Sequence, residues 1–204
     1  MSRYLGPKIR VMRREGVDLG LKSVLKVNAL KRLTVPPGMH GPKGQKKLSS
    51  YGLQLREKQK VRFMYGMTER QFARFFALAS KKRGARGELF LQLLERRLDN
   101  VLYRLGFALT RAAARQLVSH GHVYIDGKRV NIPSFLVSPG MVVTLSEKAA
   151  SIPVVRMALE AVKEDDVPSW LSRQAIVGKV VSLPTRSDAP QDIDESLIVE
   201  YYSR

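Results

Sequence analysis

Cysteine is absent from this 204-residue chain, which excludes disulfides and thiolate zinc sites and leaves the fold to hold by packing alone. A chain this long buries about 70 % of its unfolded surface, so packing can suffice. Acidic residues are scarce: 18 Asp and Glu stand against 36 Lys and Arg, a formal net charge of +18. That surplus exceeds what solubility requires and points to a polyanionic partner. No apolar run approaches the roughly 18 residues of a membrane span, and the leading MSRYLGPKIR has no apolar block of the secretory kind. A soluble, cytosolic protein without a membrane partner is expected. Histidine is rare as well, with His40, His120 and His122 the three present. The pair at 120 and 122 is half a zinc site that no cysteine can complete, and no nucleophile or oriented acid accompanies it. Neither a metal, a cofactor nor catalysis is expected.

The charge is unevenly spread. Residues 1–62 hold 16 basic and 3 acidic side chains, whereas residues 151–204 hold 6 and 9. The first third should therefore grip phosphates and the last quarter should face protein or solvent. Residues 1–48 show little periodicity, and VPPGMHGPKGQKK (35–47) cannot continue a helix or a central strand. It predicts an extended basic arm that orders on RNA, with Arg3, Lys8, Arg10, Arg13, Arg14, Lys22, Lys43, Lys46 and Lys47 as candidate contacts. The glycine–lysine combination lacks the GxxxxGK[ST] spacing of a phosphate loop.

Helical periodicity begins near residue 49. In YGLQLREKQKVRFMYG (51–66), Leu53, Val61, Met64 and Tyr65 share one arc, while Arg56, Lys58, Lys60 and Arg62 are scattered around the rest. These four cations, with Tyr51, are candidate RNA contacts. Thr68-Glu69-Arg70-Gln71 has capping-box spacing, and the helix it opens should stop at Lys81-Lys82-Arg83-Gly84, where cations suit the carboxyl end. Arg70, Lys81, Lys82 and Arg83 join the candidates. A third helix is predicted over 88–105, with a leucine-rich stripe opposed by Arg97, Asn100 and Arg104 at spacings of three and four; these three are assigned to RNA.

The most specific stretch is TRAAARQLVSHGHVYIDGKRVNIPSF (110–135). Thr110 is a good N-cap. In the helix that follows, Ala113, Ala114, Leu117 and Val118 form one arc and Arg111, Arg115 and Ser119 another, with Gln116 at its margin. Asp126-Gly127 is a strong tight-hairpin signal that brings Lys128 and Arg129 beside the helix, and residues 141–145 (MVVTL) read as a third strand. Helix face and hairpin together predict one wall tracking an RNA backbone, with His120 at the helix end as a further contact. Loss of Arg111 and Arg115 would then flatten the salt dependence of binding by about two charges. Beyond residue 150, Ile152, Val155, Leu159 and Val162 suggest an amphipathic helix and VGKVVSL (177–183) a strand. The acidic DIDESLIVE (192–200) would repel phosphate, so Asp192, Asp194, Glu195 and Glu200, with Tyr201 and Tyr202, are candidates for protein contact.

RLDNVLYRLGFALTRAAARQLVSHGHVYIDGKRVNIPSF (97–135) closely resembles the RNA-binding module of the family of the fourth protein of the small ribosomal subunit, a module that some RNA-modifying enzymes also carry. RYLGPKIRVMRREG, PPGMHG, YGLQLREKQKVRFMYG, ERQF and the closing LIVEYYSR extend the resemblance to the bacterial members over nearly the whole chain. Many members have four zinc-binding cysteines in the arm. Here Ile9 and Met12 stand where the first pair would lie, which is similar to the zinc-free subgroup. The resemblance implies an α+β fold: a basic arm (1–48), a helical domain (49–92) completed by about 180–204, and an inserted module (93–179) with a small antiparallel sheet, its RNA-binding core at about 95–150. It also implies a primary binder of small-subunit ribosomal RNA that nucleates assembly of the subunit body. Contact with the fifth small-subunit protein and other ribosomal neighbours, a share in translational accuracy, and a place near the messenger RNA follow by the same resemblance, with no homo-oligomer. The 54 residues after 150 are too few for the catalytic domain of a pseudouridine synthase. A regulatory RNA binder that represses its own messenger is the remaining rival.

Overall fold

The computed structural model describes residues 4–23, 31–44, 47–162 and 166–203; Arg3 and Lys46 lie outside them. The chain forms two compact units, Met1–Gly87 with Asp192–Arg204, and Glu88–Gln191.

In the first unit the segment expected to be an extended arm carries a helix, α1 (Lys8–Glu15), closed by Gly16 in the left-handed conformation. Its Val11 and Met12 are buried with Leu19 and Leu33. Helical structure was hidden there by the density of cations, which leaves only these scattered apolar anchors. Arg13 holds the following loop, donating from Nε to the Val35 carbonyl and from Nη2 to that of Pro36, each at 3.0 Å. Helix α2 (Ser50–Met64) starts where Ser49 accepts from the Gly52 amide. Helix α3 (Glu69–Ser80) starts where Thr68 accepts from that of Gln71. Phe72, Phe75, Phe76, Val61, Met64 and Tyr65 fill the core between them. The last helix, α9 (Glu195–Tyr202), packs on α2, and Tyr202 stacks on Phe76 at 4.5 Å.

The second unit receives most of α4 (Arg86–Glu95), then α5 (Leu98–Arg104) and α6 (Arg111–Ser119). The single helix expected over 88–105 is thus broken at Arg97, whose backbone is extended. The break has a partner: the amides of Leu98 and Asp99 bond to the carbonyls of Phe135 and Pro133, and that of Val137 bonds to Arg96. An irregular segment thereby satisfies the amides that a helix start leaves open. Strands β1 (Val123–Ile125), β2 (Lys128–Arg129), β3 (Val142–Leu145), β4 (Leu171–Gln174) and β5 (Val177–Val180) form one antiparallel sheet in the order β2-β1-β3-β5-β4. Asp126 and Gly127 both take positive φ at the β1–β2 turn, as a two-residue hairpin of this kind requires. Helices α7 (Glu147–Ala150) and α8 (Pro153–Ala161) lie between β3 and β4. From sequence the chain leaves the module near 180, yet it stays with this unit to Gln191. Gln92 and Arg104 hold that stretch through the carbonyls of Pro184 and Asp188.

The turn between α5 and α6 depends on Gly106, at φ +73, where a Cβ would lie 2.7 Å from Val162 Cβ. Replacing Gly106 by Ala adds left-handed strain to overpacking and is expected to lower stability by about 2–4 kcal/mol, measured as a shift of the urea midpoint.

Candidate nucleic-acid interface

Helices α5 and α6 meet across a polar seam. Asp99, in the first turn of α5, receives Arg97 Nε at 3.1 Å and Nη2 at 2.8 Å, and Arg115 of α6 through Nε at 2.9 Å and Nη2 at 2.6 Å. Glu95 at the end of α4 receives both Arg104 Nε and Nη2 at 2.9 Å and the Asn100 amide at 2.7 Å. Asn100 in turn accepts from Arg111 Nε at 2.8 Å, while the Arg111 guanidinium lies over the Tyr103 ring, 4.4 Å from its centroid. Arg97 is 1 % exposed, Asn100 1 % and Arg115 9 %. Of the residues assigned from sequence to RNA, Arg97, Asn100 and Arg115 are therefore buried, while Arg104 and Arg111 are half-buried with their guanidinium groups engaged on Glu95, Asn100 and Tyr103. The signal that could have redirected them is Glu95 and Asp99, two acids four residues apart among these cations in the sequence. A face holding both signs complements itself, whereas a phosphate-binding face does not.

With its arginines turned inward, α6 presents Gln116, Ser119 and His120 to the outside. Ser119 Oγ donates to the Arg115 carbonyl within the helix. His120 is exposed, and its ring centroid lies 6.2 Å from that of His122. Arg129 returns from the hairpin to cap the same helix, donating to the carbonyls of Gly121 at 2.8 Å and His120 at 3.2 Å, a favourable place for a cation. Gly121 has φ +72, and a Cβ there would push that guanidinium out of place. Lys128 is exposed at the hairpin, and Lys148, Arg156 and Lys179 are exposed cations of this unit that were not anticipated. Arg173, also unanticipated, is buried; it donates to the carbonyls of Leu105 at 2.9 Å and Val162 at 2.5 Å, the ends of α5 and α8.

In the first unit Arg10, Arg14, Lys22, Lys43, Lys47, Tyr51, Arg70, Lys81, Lys82 and Arg83 are exposed, as are Arg74 and Arg86. Other candidates are half-buried or buried in internal work, with Lys8 half-buried. Lys58 is 3 % exposed, bound to Glu69 at 2.7 Å and 4.6 Å from the Tyr201 ring centroid; it is a correction to the RNA-facing set. Lys60 pairs with Glu57 at 2.7 Å. Arg62 lies over Phe63 and bonds Gln59, and Arg56 pairs with Glu15. Of the six residues assigned to protein contact, Asp192, Asp194 and Glu200 are exposed and Glu195 half-buried, with Asp194 capping α9. Glu200 accepts from Gln54 at 2.8 Å, Tyr201 packs 5.9 Å from Tyr51, and the Tyr202 hydroxyl donates to Glu69 at 3.1 Å. Burial first, and then the Glu69 carboxylate, hold the Tyr202 phenol above the ordinary tyrosine range.

The helix pair, capping arginine and hairpin define the class. Residues 96–143 match the S4 domain, and residues 3–95 match the Ribosomal protein S4/S9 N-terminal domain. The chain is 50 % identical over 206 residues to the small ribosomal subunit protein uS4 of a Geobacillus species, and 48 % identical over 209 residues to that of Thermus thermophilus. It is also 50 % identical over 207 residues to that of Neisseria meningitidis, and all of each chain is covered in every case. The chain belongs to the small ribosomal subunit protein uS4 family.

Asp99→Ala strands two guanidinium groups that are buried at its carboxylate. It is expected to cost about 3–5 kcal/mol of stability, read from urea unfolding by circular dichroism.

Proposed function

We propose that this chain is a primary binder of small-subunit ribosomal RNA that nucleates assembly of the subunit body, and that it grips RNA through its unburied cations rather than through the α5–α6 seam. Family membership makes it a structural, non-enzymatic component of the small ribosomal subunit, bound to ribosomal RNA and ribosomal neighbours in the cytoplasm. The observation that carries the finer reading is the sorting of charge. Arg97, Arg104, Arg111 and Arg115 are committed to Asp99, Glu95, Asn100 and Tyr103. Lys81, Lys82 and Arg83 at the end of α3, Arg70, and Lys128 at the hairpin are exposed. Long-range attraction to phosphate and counterion release need charges that reach solvent.

Within unit 2, the outer face of α6 with the hairpin supplies Gln116, Ser119 and His120 for 2′-hydroxyl and base contacts and Lys128 for phosphate. The exposed Asp192 and Asp194 suit a protein neighbour, which we take to be the fifth small-subunit protein. Through that contact the chain contributes to translational accuracy near the messenger RNA.

Replacing Lys81, Lys82 and Arg83 together by Ala is expected to weaken binding of the full chain to small-subunit ribosomal RNA and to flatten the slope of log K against log salt by about two to three. Filter binding across a salt series reads the slope, and an unchanged value removes this run from the interface.

A further inference from the structure

The five-stranded sheet of the second unit is packed on one face and open on the other. Val123, Ile125, Val143, Leu145, Leu171 and Val180 belong to the core with α5 and α6, and a Cβ at Gly178 would strike Leu105 from the same side. The alternate positions of the strands are exposed or half-buried. Strand register places them in two rows. Arg129, Tyr124, Thr144, Val177 and Gln174 stand side by side across all five strands, and Val142, Lys179 and Ser172 form a second row across three. With strands about 4.8 Å apart, the longer row spans roughly 19 Å, long enough for a few nucleotides.

The chemistry of this open face is one-sided. Neither row contains an acid, and Asp126, at the neighbouring turn, spends its carboxylate on the Val142 amide at 2.9 Å. Lys179 stands between Val142 and Ser172. Among the described residues its ammonium has no partner, and neither has the Tyr124 phenol. A cation set into a largely apolar floor selects an anion that carries flat apolar parts. Duplex RNA offers a surface chiefly phosphates and 2′-hydroxyls and would leave that floor unmatched, whereas an unpaired strand offers its bases as well. We propose that the outer face of the sheet carries a single-stranded segment of RNA, with bases laid on Tyr124 and Val177, Thr144 and Gln174 at their edges, and Lys179 on a phosphate. The proposal rests on RNA binding as the chain's function and extends the interface from helix and hairpin to the sheet. Arg129 joins the two surfaces, because it stands beside Tyr124 on this face while its guanidinium bonds to the carbonyls of His120 and Gly121 at the end of α6. A strand leaving the outer face of α6 can therefore continue onto the sheet.

The test uses the full chain and small-subunit ribosomal RNA. Because the chain has no cysteine, Val177→Cys gives a single attachment point for an iron–EDTA probe that cleaves RNA nearby. Cleavage confined to an unpaired stretch is expected; cleavage only within duplex, or none from a chain that binds the RNA, overturns the proposal. In filter binding, Lys179→Ala is expected to flatten the slope of log K against log salt by about one. Val177→Glu, which sets an anion against the strand, is expected to weaken binding about tenfold at moderate salt. Lys179→Ala removes only an exposed side chain, so it still decides the matter if circular dichroism shows that Val177→Glu does not fold. Wild-type slope and affinity in the folded variants overturn the proposal. Variants that bind the RNA normally but fail to take up a ribosomal protein neighbour would make this face a protein contact, which overturns it as well. Failure of the wild-type chain to bind the RNA would bring down the function proposed above too; with wild-type binding intact, the variants and the probe judge the sheet face alone.

Discussion

The second unit depends on one carboxylate. Asp99 lies at the start of α5 and is nearly closed to solvent, and a buried anion is tolerated only when cations and hydrogen bonds surround it. Arg97 supplies one guanidinium from the residue before the helix and Arg115 another from the middle of α6. Two helices are thus pinned at a fixed separation and rotation. Everything displayed outward follows from that rotation: Gln116, Ser119 and His120 on α6, and the hairpin, because Arg129 caps the end of the same helix. A second network through Glu95, Arg104, Asn100 and Arg111 repeats the logic one turn further along.

This arrangement separates two uses of arginine that look alike in a sequence. Paired with carboxylate in a dry seam, the planar guanidinium acts as a rigid connector, satisfying several acceptors at once. Left at the surface, lysine and arginine act as mobile charges whose neutralisation of phosphate releases counterions. A chain with a +18 surplus can do both, because the few acids of the seam consume only part of the positive charge. The first unit works the same way on a smaller scale, with Lys58, Lys60 and Arg62 tied to Glu69, Glu57 and Gln59 while Lys81, Lys82 and Arg83 stay exposed.

Local signals were legible wherever a single residue's chemistry decides the backbone. Thr68 and Thr110 cap helices through their own oxygens, Asp126-Gly127 turns the hairpin, and residues 142–145 pair as a strand. What the sequence hid was set by distant partners. The break at Arg97 exists because Pro133 and Phe135 deliver carbonyls to it, and nothing between 88 and 105 announces that. Strand β4 is hard to read because one of its two inward positions is Arg173, a residue that pattern reasoning places in solvent, here drawn inside beside Leu171 by two helix-end carbonyls. The direction of the arginine-bearing faces was likewise invisible to periodicity, which finds a polar arc without saying whether water or a neighbouring helix lies beyond it. Helix α1 was masked by its own charge, with only Val11 and Met12 buried.

On the function proposed, the seam arginines position the interface and the exposed cations bind. Its most direct test is the salt dependence of ribosomal RNA binding by a chain in which Arg97→Met, Asp99→Leu and Arg115→Met remove the three together, so that no buried charge is stranded. A fully folded variant is expected to keep the wild-type slope of log K against log salt. A slope shallower by about one to two units would mean that these arginines themselves neutralise phosphate, and would contradict it.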